Sequence, residues 1–187
     1  MSSYIRTYTG KMFEPMAPDP EKICAEDIAH ALPMICRGNG HVKTFWSVGE
    51  HSIGCAKEAL GRGLSPRMAL ACLLHDAGEC YLSDIPRPFK QFLPAYQERE
   101  DALLSMIYIK FLGSDLTAEE QKQLSEIDDA LLWYDLDVLL REPMDTPAPK
   151  LHFDLDYRFR PFEEVEKEFL DLYRALSESA GGKEKDM

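Results

Sequence analysis

The segment SPRMALACLLHD, residues 65–76, organises the reading of the whole chain. Ser65 before Pro66 is a helix start, an N-cap followed by the one helical position that tolerates proline. Met68, Ala69, Ala71, Cys72, Leu73 and Leu74 then leave almost no polar face, which predicts a helix at the centre of a core. Its last residues, His75 and Asp76, are polar where an uncompensated charge costs several kcal/mol. A divalent cation satisfies both a neutral imidazole and a carboxylate at such a place; a paired core histidine beside a helix cap is the alternative. Neighbouring helical side chains diverge by about 100°, so both reach one ion only at a helix end, and Gly78 supplies the break.

Outward from this segment the chain reads as helices. Ser47-Val48-Gly49-Glu50 is a capping box, which predicts a helix to about Leu60 with His51 in its first turn. An antiparallel pair of helices sets that first turn beside the end of the central helix, and therefore His51 beside His75 and Asp76. Upstream, Ile28, Ala31, Leu32 and Ile35 have helical spacing, interrupted by Pro33 and stopped at Gly38. Downstream, Ser83 to Pro88 reads as a loop, and a long helix spans about Ala95–Leu112, stopped by Gly113. Thr117-Ala118-Glu119-Glu120 is a second capping box, opening a helix to about Leu140. Along it Leu124, Asp128, Leu131 and Asp135 form one stripe, so Asp128 faces inward and Asp129 does not. A proline-rich link spans Pro143 to Pro149, and a final amphipathic helix runs from about Phe162 to Leu176.

Together these elements predict an all-α bundle in a single domain, residues 1–187. A small N-terminal β-hairpin (Tyr4 to Phe13, with Thr9-Gly10 at its turn) and an extended link occupy 1–22, the helical core 23–178, and a frayed tail 179–187.

Composition narrows the partners. The 187 residues carry 33 acidic and 21 basic side chains, a formal charge of −12, which repels the backbone of long nucleic acids. No apolar run approaches the roughly 20 residues of a membrane span, and the N-terminus has no apolar signal core, so a cytoplasmic location is expected. The five cysteines form no C-x-x-C pair and are expected to be reduced, mostly small core residues.

His51, His75, Asp76 and Asp128 thus make a mixed nitrogen and oxygen set suited to one divalent ion such as Mn²⁺, Co²⁺, Fe²⁺, Ni²⁺ or Zn²⁺. Such an ion acidifies water and offsets charge on a phosphoryl oxygen, which makes phosphate-ester hydrolysis the expected chemistry. Glu79, four residues past His75, is the candidate proton acceptor, and Asp84 a second catalytic carboxylate. Arg37, Lys43, Arg87 and Lys90 are candidate phosphate contacts; Trp46 is a candidate stacking surface for a base, although core or hinge packing is the more usual place for such a residue.

The order His51, His75-Asp76, Asp128, with the phrases GHVKTFWSVGEHS, LLHDAGECYLSDIPRPFK and EIDDALL, resembles the HD-domain superfamily of metal-dependent phosphohydrolases. The likeness spans roughly Tyr4 to Leu140. Within the superfamily it is similar to the branch of YfbR-like 5′-deoxynucleotidases and phage dATP triphosphohydrolases. The resemblance implies an HD-type helical fold, one catalytic divalent cation on those four residues, Glu79 as acid/base and Asp84 as a positioning group. It implies a small nucleotide substrate, a deoxynucleoside 5′-monophosphate or, with additional Mg²⁺, a triphosphate released whole. A non-catalytic nucleotide sensor on the same scaffold is the alternative of a different class. Arg37 matches a phosphate-contacting arginine, but Gly38 follows it where the deoxynucleotidases have a tryptophan, which leaves the sugar preference open. Apolar residues on the last helix leave a homodimer open.

Overall fold

A computed structural model describes residues 3–181 of the chain. It is all-α with a small N-terminal hairpin: β1 (Ile5–Arg6) and β2 (Met12–Phe13) pair antiparallel, Ile5 opposite Phe13. Gly10 closes the turn at φ 85°, a conformation that glycine adopts without a Cβ penalty. Phe13 carries the hairpin into the core, fully buried and stacked on Tyr81 with ring centroids 4.0 Å apart. Thr9 fastens the turn from outside, its backbone N–H donating to Asp27 Oδ1 at 2.7 Å.

The helices are α1 (Ala25–Ala31), α2 (Val48–Gly61), α3 (Pro66–Leu74), α4 (Glu79–Leu82), α5 (Arg87–Lys90), α6 (Pro94–Leu112), α7 (Ala118–Tyr134) and α8 (Phe162–Ser179). Both predicted capping boxes are formed, at Ser47/Glu50 and Thr117/Glu120. Pro33 does end α1, and Leu32–Met34 tightens into a 3-10 turn. The stretch expected as a loop between Ser83 and Pro88 is shorter than predicted, because α4 and α5 are single helical turns on either side of it.

α3 is the centre. Met68 to Leu74 are all buried, and the helix packs on α2, α6, α7 and α8. Burying Leu70, Leu73 and Leu74 contributes roughly 2 kcal/mol each, which offsets the placing of polar residues at the helix end.

One expectation changes. The helix expected to reach Leu140 keeps α geometry only to Tyr134 and continues over Asp135–Leu140 as a π-helix, ended by Arg141 at φ 53°. In α8 the apolar stripe expected to leave a dimer open is buried inside the chain through Val165, Phe169 and Leu176, because the helix lies on α1, α2 and α3. α8 also runs to Ser179, into the expected tail, whose residues 182–187 lie outside the described ones. No helix among the described residues is long and apolar enough to cross a membrane.

Candidate metal centre and cavity

Three helices converge on one point. α2 brings His51 from its first turn, the end of α3 brings His75 as its C-cap and Asp76 just beyond, and α7 brings Asp128. His51 Nε2 lies 3.0 Å from Asp128 Oδ1, and His75 Nε2 lies 3.7 Å from the same oxygen and 3.3 Å from Asp76 Oδ2. The four residues singled out by sequence therefore meet in space. Asp129, next to Asp128, points outward and is exposed, as the stripe predicted.

The ring nitrogens facing the cluster are fixed from behind. His75 Nδ1 lies 2.8 Å from the Cys72 carbonyl oxygen, which requires an N–H there and leaves Nε2 free of a proton in the neutral ring. His51 Nδ1 lies 3.1 Å from Asp135 Oδ2, with the same consequence. Backing a ligating imidazole with a carboxylate or carbonyl is how metal sites set its tautomer.

His75 Nε2 is the informative atom. It is buried and has no hydrogen-bond partner among the described residues, although two carboxylates stand near it. A buried nitrogen lone pair left unpaired costs about 1–3 kcal/mol, and a cation among these residues would satisfy it. Ligand atoms of His51, Cys55, His75 and Asp128 all lie within 4.8 Å of one another, so this buried cluster can hold a metal ion.

Charge points the same way. Burial alone lowers the His75 imidazolium, yet Asp76, Cys55 and Asp128 outweigh it and push it up to about 10. At His51 burial and Arg37 act downward, and Cys55, Asp128 and Asp135 leave it well above the usual histidine value. Burial acts to raise Asp128, but His51 and His75 hold it well below the usual carboxylate range. These carboxylates demand positive charge, and a divalent cation meets that demand with both imidazoles neutral, as ligation requires.

Asp76 and Asp128 also form part of the floor of a cavity of about 620 Å³. Glu79, Asp84, Arg37, Arg87 and Lys90 line it, so five of the seven residues expected around a substrate are gathered there. Burial raises Glu79 well above the ordinary carboxylate value, helped by Asp76 and Asp84; Asp84 is raised too, chiefly by burial. Arg37 bridges Asp76 and Asp135 at 3.4 and 3.3 Å; Lys90 pairs with Glu100 at 2.7 Å. Arg87 donates to Asp128 Oδ2 and Asp129, so the two oxygens of Asp128 face a cation on one side and the histidines on the other.

Lys43 and Trp46 are corrected, since neither lines this cavity. The segment between them and Arg37 folds back on itself: Cys36 bridges Ser47, and Arg37 N–H donates to Trp46 O at 2.9 Å. That pairing turns Trp46 into the core, 4 % exposed, against Tyr157 with centroids 4.7 Å apart. Lys43 uses its backbone N–H on Leu139 O, and the residue is exposed.

Asp135 is the residue that sequence reasoning missed. It takes His51 from behind, Arg37 from the cavity, and the Tyr157 hydroxyl at 2.8 Å. Its place on the stripe with Asp128 was legible; its role was not, because Tyr157 arrives from an irregular segment far along the chain. Cys55 had a legible signal in its spacing of four from His51, hidden by the expectation that the cysteines are core residues.

No protein-family model matches the chain. The chain is 34 % identical over 144 residues to the uncharacterized protein YfdR of Escherichia coli K12, covering 70 % of this chain and 77 % of that one. It is 30 % identical over 191 residues to the uncharacterized protein RCAP_rcc00048 of Rhodobacter capsulatus, covering 95 % and 97 %.

Proposed function

The chain belongs to the family of YfdR and RCAP_rcc00048, and we propose that it is a metal-dependent phosphohydrolase of the HD type acting on nucleotides, with deoxynucleoside 5′-monophosphates as the leading substrates. The observation that carries this reading is the unpartnered, buried His75 Nε2 beside a cavity that also holds a carboxyl raised in pKa and three cations.

His51, His75, Asp76 and Asp128 would hold a divalent cation, which would supply Lewis-acid charge at a phosphoryl oxygen and acidify a water molecule. The chain does the rest. Arg37 and Lys90 border the cavity where phosphate oxygens lie, Arg37 presenting a planar fork and Lys90 a point charge. Arg87 is 58 % exposed in its side chain and can swing from Asp129 to a phosphate at little cost. Glu79 takes the proton of the attacking water as the new P–O bond forms. The same carboxyl returns it to the leaving 5′-oxygen as the P–O bond to the sugar breaks, so the products are phosphate and a nucleoside. Burial, with Asp76 and Asp84 nearby, raises this carboxyl well above the ordinary value, which favours its holding the proton between the two steps. Asp84, across the cavity, orients the water. Val42, Ile85, Leu132 and Leu136 form the apolar wall against which the nucleoside lies.

The test is a hydrolysis screen over nucleoside mono- and triphosphates with each of Mn²⁺, Co²⁺ and Zn²⁺. Wild type is expected to release inorganic phosphate from monophosphates, and a Glu79→Gln variant to lose about 10²–10⁴ in kcat with metal content unchanged. Release of intact triphosphate would move the substrate to the triphosphate class. Equal turnover by wild type and a His75→Ala, Asp76→Ala double variant would overturn the proposal.

A further inference from the structure

Cys55 lies one helical turn after His51 on α2, on the same face, and is 1 % exposed. Its Sγ is 3.5 Å from His51 Nε2. With a ring nitrogen of His75 and a carboxylate oxygen of Asp128, these atoms complete a group in which every pair lies within 4.8 Å. Around a tetrahedral zinc, with bonds of about 2.0–2.3 Å to nitrogen, oxygen and sulfur, donor atoms stand roughly 3.3–3.7 Å apart. The sulfur-to-nitrogen distance already has that length, and the two imidazole-to-carboxylate distances, 3.0 and 3.7 Å, bracket it.

We propose that Cys55 is a ligand of the cation, so that the centre is a sulfur-containing His₂-Cys-Asp site rather than one of nitrogen and oxygen alone. The inference rests on the metal-binding half of the function proposed above and not on the phosphohydrolase half. The vacant lone pair of His75 Nε2 supports it independently of the cysteine: a buried donor atom on a different helix is aimed at the same point. Asp76 lies on the cavity side, outside that group of four. On binding, the S–H bond of Cys55 breaks, a metal–sulfur bond forms, and the proton passes to the buffer. A thiolate donor draws the centre towards Zn²⁺, Co²⁺ or Fe²⁺ and away from Mn²⁺ and Mg²⁺.

Cobalt reports on this directly. Titrating metal-free full-length protein with Co²⁺ is expected to raise an intense near-ultraviolet thiolate-to-cobalt charge-transfer band that saturates at one equivalent. The band should persist in Cys80→Ala and vanish in Cys55→Ser. Zinc-edge X-ray absorption on wild type, which needs no variant and therefore no assumption about folding, is expected to show one sulfur bonded to the ion. Stoichiometric binding with no charge-transfer band and only nitrogen and oxygen neighbours would overturn the inference. Sulfur ligation without nucleotide hydrolysis would overturn the phosphohydrolase reading and leave Cys55 a ligand; hydrolysis by a centre of nitrogen and oxygen alone would do the reverse.

Discussion

Asp135 shows how much one carboxylate can organise. It is 5 % exposed and accepts hydrogen bonds from His51, Arg37 and Tyr157, so its charge is met on three sides. Burial acts to raise it, but His51 and Arg37 hold it below the ordinary carboxylate value. By fixing the proton on His51 Nδ1 it presents Nε2 as a donor, so under the proposed function a change here would be felt at the metal without touching it. Asp135→Asn is expected to lower metal affinity by about 10–100-fold, measured by competition with a coloured chelator. Tyr157→Phe leaves the His51 contact intact and should weaken affinity less. An Asp135→Asn protein with wild-type affinity would show that His51 needs no such support.

At the scale of elements, the irregular segment 141–161 matters more than its lack of regular structure suggests. It crosses from the π-helix to α8 and is tied to α2 by Glu58, which is fully buried. Glu58 accepts from the His152 backbone N–H at 2.7 Å and lies 2.9 Å from His152 Nδ1, while Arg62 Nε donates to it at 2.7 Å. Gly61 lets the segment close: a Cβ there would stand 2.6 Å from His152 O. Burial acts to raise Glu58, yet His152 and Arg62 hold its pKa below the ordinary 4.5. A carboxylate depressed in the fold stabilises fully above its ordinary value, and that stabilisation is lost as pH falls through the folded value. Glu58→Ala is therefore expected to cost about 3 kcal/mol at pH 7, with the gap to wild type narrowing as pH falls below 4.5. Urea unfolding of both proteins across that range checks it, and a gap independent of pH would remove the charge from the account.

Over the whole molecule, a formal charge of −12 surrounds a cavity that the proposed substrate enters as an anion. Within the cavity Asp76, Glu79, Asp84, Asp128, Asp135 and Glu142 face only Arg37, Arg87 and Lys90, so even a divalent cation leaves no surplus of positive charge. Long-range repulsion then slows encounter. It is screened as the Debye length shrinks from about 30 Å at 0.01 M salt to about 10 Å at 0.1 M. With metal saturating, kcat/KM for a nucleotide is expected to rise over that interval. A fall would put encounter under the control of the three cavity cations.

The helices and the four converging side chains were readable from local signals: two capping boxes, a serine–proline start, an apolar helix ending in His75-Asp76, and a four-residue stripe through Asp128. Each depends on neighbours a few residues away, where helical spacing dictates direction. Which way Trp46 turns, the place of Lys43 and the work of Asp135 were not readable, because they depend on segments apart in the chain meeting: Cys36 against Ser47, Leu139 against Lys43, Tyr157 against Asp135. Cys55 lies between the two cases. Spacing put it on the His51 face, but only the approach of α3 and α7 made that face a pocket of donors rather than a core. Periodicity along a helix is a one-dimensional property and belongs to the sequence. Which side chains share a lone pair, a charge or a cavity is settled by packing at long range, and it belongs to the fold.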